Sequence, residues 1–134
     1  MFKATSIQSP EDIFKACGEI QSFLESPYDS DSPQICVERA TDLEVRLAQS
    51  SKMVADAEYH FNSLLQSSIM TGMKTLGDDV MSATILRQYI AGATKDFQYL
   101  VKWTERLNRC IVHDLDIMRT IISMHKSEST RFQT

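Results

Sequence analysis

Three features of the sequence predict an all-α fold, a short N-terminal helix packed on a long antiparallel two-helix hairpin. Apolar residues recur at alternating spacings of four and three over two long stretches, a period that a helix satisfies and a strand does not. All three prolines (Pro10, Pro27 and Pro33) lie in the first quarter of the 134 residues, so none interrupts a helix beyond Pro33. The whole chain has four glycines, which leaves few places for it to turn.

The first element opens at "SPEDIF". Ser9 is an N-cap, Pro10 occupies the first helical position, and Glu11 and Asp12 sit where the helix dipole favours acid. Ile13, Cys17, Ile20 and Leu24 then share a face, with Phe14 and Phe23 beside it, and predict a helix over 10–25. "SPYDSDSP" is aperiodic and reads as a loop. The same serine–proline start recurs at Ser32 and Pro33. From there Cys36, Ala40, Leu43, Leu47, Ser50, Val54, Ala57, Phe61, Leu64 and Ser68 form a heptad seam, which predicts a second helix over 33–72. Gly72 or Gly77 would stop it, and Asp78 would cap the next. The last helix is expected over 79–126, with Leu86, Ile90, Ala93, Phe97, Leu100, Thr104, Leu107, Ile111, Asp114, Met118, Ile121 and His125 as its seam. A polar, frayed tail is expected over 127–134. Two long helices joined by a glycine turn form an antiparallel hairpin.

The two long helices differ in the width of their apolar faces. Arg39, Glu44, Arg46, Glu58 and His60 crowd the seam of the second helix and keep it narrow. The last helix flanks its seam with Tyr89, Trp103, Cys110, Ile117 and Met124 on one side and Val101, Leu115 and Ile122 on the other. A face this wide belongs to a bundle. The first helix, roughly 24 Å long, is too short to cover it. A second copy of the chain, completing the bundle as a homodimer, is the favoured cover, and a different protein partner the alternative. Tyr89, Val101, Trp103, Cys110, Leu115, Ile117, Ile122 and Met124 are therefore the expected interface.

The polar residues divide less sharply. With the turn near residue 78, Asp114 falls close to Arg39 and Arg46, which predicts a partly buried ion pair that fixes register. His113 and Asp116 project outward, so "HDLD" reads as an interrupted seam and not an active site. Asp56 and His60, one turn apart, face Asp96 across the hairpin, but the Glu-x-x-His pairs of helical di-metal proteins are missing, so no metal and no cofactor is expected. Without a phosphate-binding glycine loop or a nucleophile–histidine arrangement, enzymes are the disfavoured class.

The net charge of −4 argues against general polyanion binding. A local exception is the row Lys95, Tyr99, Lys102, Arg106, Arg109 and His113 on the last helix, which could follow a phosphate backbone if it is more than a solvated face. Three widely spaced cysteines (17, 36 and 110) without a zinc pattern suggest reduced thiols. With no membrane span expected, they point to a cytoplasmic protein that does not enter a membrane.

"VADAEYHFNSLL", a glycine-broken turn and "WTERLNRCIVHDLDIMRTIIS" together resemble small helical-hairpin proteins encoded by bacteriophages and prophages. The resemblance covers roughly the last hundred residues and lies in layout; it carries no catalytic set. It implies an accessory role, in the host cytoplasm, near replication or recombination. The chain is accordingly expected to be a non-enzymatic protein–protein interaction protein, with nucleic-acid association through Lys95, Tyr99, Lys102, Arg106 and Arg109 as the second expectation.

Overall fold

In the computed structural model, residues 6–75 and 83–133 are described, and they form three helices: α1 (Pro10–Glu25), α2 (Pro33–Thr75) and α3 (Ala83–Gln133). Local signals set the starts. Ser9 Oγ accepts from the Asp12 N–H at 3.2 Å, and Ser32 Oγ accepts from the Ile35 N–H at 3.4 Å. Each bond satisfies a donor that the first helical turn leaves open. Ser26 ends α1, its N–H and its hydroxyl both donating to Phe23 O.

Two ends differ from expectation. α2 runs through Gly72 to Thr75, so Gly72 is an interior residue and not a stop. Leu86 and Tyr89 explain it: a Cβ at Gly72 would lie 3.1 Å from a side-chain carbon of each. Glycine here lets α3 side chains close onto the α2 backbone. The expected tail is also helical, because α3 continues to Gln133. The turn at Gly77 and Asp78, with residues 79–82 of the expected last helix, lies outside the described residues.

α2 and α3 pack antiparallel along their seams, pairing Ser50 with Asn108 and His60 with Phe97, within two residues of the expected register. Leu43, Met53, Ala57, Leu100, Leu107, Ile111, Leu115 and Met118 meet there and are buried. Three buried polar residues are satisfied within their own helices: Ser50, Thr104 and Thr94 donate to Leu47 O, Val101 O and Ile90 O. Thr94 is buried where the expected seam has Ala93, which is exposed.

α1 adds Ile13, Ala16, Cys17 and Ile20 to this core. Its first turn lies by Asp96, Phe97 and Leu100, and its last by Arg39 and Arg46. α1 therefore runs parallel to α3 and antiparallel to α2, giving an up–down–up three-helix bundle at one end of the hairpin. At about 1.5 Å per residue, α1 spans roughly 24 Å against some 76 Å for α3. Among the described residues the hairpin beyond the α1 N-terminus is two helices thick.

Candidate functional site

Three surfaces carry the expected functional residues. The first is the junction of α1 with the hairpin, where part of the expected interface is covered from within the chain. The Trp103 ring meets Phe14 edge-on at 5.4 Å between centroids, and its Nε1–H donates to Gln21 Oε1 at 3.3 Å. Leu115 is a core residue, 2% exposed, and Val101 and Ile122 pack half-buried against the core. Leu115 is thus enclosed within the chain, and Trp103, Val101 and Ile122 are covered in part by intramolecular packing. α1 is short, but it lies directly over Trp103, while the α2–α3 seam takes in Leu115. Tyr89, Cys110, Ile117 and Met124 remain exposed, at 37% for Tyr89 and 58% for Met124.

Arg39 and Arg46 also turn toward α1. Arg39, 7% exposed, reaches the α1 C-terminus, where it donates to Phe23 O and Leu24 O at 3.4 Å and lies over the Phe23 and Tyr28 rings. Arg46 covers the Phe23 ring at 4.1 Å. The C-terminal carbonyls, the negative dipole end of α1 and two aromatic rings offer a guanidinium more than a single carboxylate does. Asp114 consequently has no ion pair among the described residues, which replaces the expected Asp114–arginine register pair. The remainder of "HDLD" is an interrupted seam: His113 and Asp116 are exposed, Asp116 pairs with Arg119, and Leu115 is buried.

The second surface holds the residues weighed as metal ligands, and their polar atoms are engaged by backbone. Asp56 Oδ2 accepts from Gln8 N–H at 3.1 Å, while His60 Nε2–H donates to Gln8 O at 2.6 Å. Lys52 pairs with Asp56 and donates to Ser6 O at 2.8 Å. Three side chains, one per turn of α2, thus clasp residues 6–8 and aim the chain into the Ser9 cap. Asp96 lies apart, beside Pro10 and Glu11. Among the described residues no three His, Cys, Asp or Glu gather as a metal site. Asp56→Ala is expected to cost about 1–3 kcal/mol, because Gln8 N–H loses its acceptor. Faster amide exchange at Gln8 and a lower melting temperature would register it.

Sequence reasoning missed this clasp because its partners lie 46 to 52 residues apart. It also gave His125 no role; His125 Nε2–H donates to Ser30 O at 2.9 Å and ties the α1–α2 loop to α3. Burial pushes the Cys17 thiol up to about 11 and raises Cys36, with Asp29 and Asp31 adding to the Cys36 effect. Both stay protonated at neutral pH, as packing groups and not nucleophiles.

The third surface is the uncovered hairpin end. Met70 is 54% exposed, Met73 64%, Ile85 51% and Tyr89 37%. From Phe61 to Thr94 the described residues carry only two charged side chains, Lys74 and Arg87, in a chain that is 24% charged. Tyr89 is one heptad before Asp96, which adjoins α1, so the apolar hairpin face beneath α1 continues past its first turn. The basic row lies elsewhere on α3: Lys95, Tyr99, Lys102, Arg106, Arg109 and His113 are all exposed.

Among the described residues no helix is long and apolar enough to cross a membrane. Comparison with protein-family models, with curated proteins and with solved structures finds no match to this chain.

Proposed function

We propose that this is a non-enzymatic assembly protein, and that two copies join through their uncovered hairpin ends into an antiparallel four-helix bundle. One observation carries the reading: charge is depleted where large apolar side chains are exposed. Met70, Met73, Ile85 and Tyr89 stand among described residues whose only charges are Lys74 and Arg87, and the full stretch from Phe61 to Thr94 adds Asp78 and Asp79 alone. Interface cores are marked by such depletion and by methionine and aromatic enrichment. The exposed Ile117 and Met124 differ, because Asp116, Arg119 and Glu128 surround them.

Two helices side by side, each about 10 Å wide and about 20 Å long here, offer a second copy a footprint of roughly 400 Å², which is at the small end for a stable interface. Pairing hairpin ends also restores a four-helix cross-section, the usual way to bury both stripes. An accessory role of the phage-encoded type, in a reducing cytoplasm, belongs to the same reading. Supporting it are the layout of the last hundred residues and three free cysteines, two of them buried.

Light scattering on variants tests it. The wild-type mass should be twice 15.3 kDa, Ile85→Lys should halve it, and Met124→Lys should leave it unchanged. A wild-type monomer at about 100 µM, well above the Kd of a stable homodimer, would overturn self-pairing and leave the hairpin end to another protein. Dissociation by Met124→Lys alone would move the interface to the other end of α3.

A further inference from the structure

The outer face of α3 carries a row that the hairpin-end assembly does not use. We infer that Lys95, Tyr99, Lys102, Arg106 and Arg109 form a docking strip for single-stranded nucleic acid. The inference goes beyond the assembly reading and does not depend on it.

Net charge is the first observation. The chain as a whole is acidic, yet α3 holds eight Lys and Arg against five Asp and Glu. The excess is concentrated along one line. Spacings of four and three put the row on a single face, and from Lys102 onward there is about one cation per 5.4 Å turn.

Pairing is the second. Lys52 and Arg119 are neutralised by carboxylates on their own helices, at Asp56 and Asp116. None of Lys95, Lys102, Arg106 and Arg109 has an ion pair among the described residues. Asp96 is turned about 100° from the row, and Glu105, one turn before Arg109, borders it without forming an ion pair among the described residues. The fold therefore keeps four like charges in line with none held in an ion pair, an arrangement that favours an arriving anion.

Tyr99 is the third. Its side chain is 59% exposed in the middle of the row, and its ring rests against Trp103 at 5.9 Å between centroids. Trp103 is in turn held by Phe14 and Gln21 of α1. An aromatic face displayed among cations and braced from behind is a stacking platform for an unpaired base. Duplex bases offer no free face for it. An acidic partner helix would neutralise the cations but give the displayed Tyr99 ring nothing to stack on.

Fluorescence anisotropy with a labelled oligothymidylate of about fifteen nucleotides, a length matched to single-strand site sizes, tests the strip. Wild-type protein should bind at low salt. With about four phosphate contacts, affinity should fall roughly 50-fold between 50 and 200 mM salt. Replacing Lys102, Arg106 and Arg109 together by glutamate should abolish binding. Tyr99→Ala should weaken it roughly 5- to 150-fold. Lys126→Glu, off the row, should do little, and circular dichroism would confirm that each variant remains helical. Absence of binding at low salt overturns the inference. So does tighter binding of the matching duplex. Displacement by poly-glutamate, with Tyr99→Ala neutral, would also overturn it and point to an acidic protein segment.

Discussion

Ile20→Ala is expected to lower stability by about 2–5 kcal/mol. Ile20 is fully buried, although it belongs to the shortest helix of the bundle. Truncation removes its transfer free energy and leaves a cavity between α1 and the hairpin that two long helices cannot collapse to fill. For a chain of this length, the melting temperature should drop by roughly 8–20 °C. The loss should be accompanied by a change in Trp103 fluorescence, because Trp103 reports α1 docking through Phe14 and Gln21. A loss below about 1 kcal/mol would mean that α1 is not an integral part of the core.

Arg39→Met should cost about 2–3 kcal/mol. The substitution keeps most of the aliphatic stem but deletes the charge that caps α1. Leu24 O loses its side-chain donor, Phe23 O is left with the two from Ser26, and the Phe23 and Tyr28 rings lose the cation between them. Arg39→Lys should recover little of the loss, since an ammonium cannot reach two carbonyls while lying flat between two rings. Urea titration of the three proteins separates the possibilities. A lysine variant as stable as wild type would show that charge alone suffices and that the planar fork is immaterial.

The sequence was most legible where structure is decided locally. Ser9–Pro10 and Ser32–Pro33 mark helix starts because a serine hydroxyl answers an N–H three residues on, whatever the rest of the chain does. The four-and-three spacing named the seam, since helical period alone decides which residues share a face. What escaped was the choice among partners that several residues could satisfy. Arg39 and Arg46 had Asp114 within reach in the hairpin, and preferred α1 carbonyls and rings whose position no local pattern encodes. Trp103 belonged to a wide apolar stripe, but only the placement of α1 decides which part of that stripe is covered at home. The C-terminal end was misjudged for a different reason. Residues 127–133 are polar, and polarity was read as fraying, yet α3 continues through them.

The candidate surfaces divide in the same way. The basic row was visible because all its members lie on one helix. The hairpin end was not singled out, since its uncovered state follows from where α1 stops. Its low charge from Phe61 to Thr94 was a signal present in the sequence, and it gains meaning once that stretch is known to be only two helices thick.

If two copies meet at their hairpin ends, a distance between the copies shows it. With Cys110→Ser as background, spin labels would be placed at Gln88→Cys, near the middle of the proposed overlap, or at Lys126→Cys, near the far end of α3; both sites are exposed. Hairpin-end pairing puts the Gln88 labels roughly 20 Å apart, the spacing of packed helices plus the label arms. It puts the Lys126 labels roughly 110 Å apart, twice the helix length from the overlap centre. A short Lys126 distance with a long Gln88 distance would contradict it, because the copies would then meet at the α1 end of the bundle.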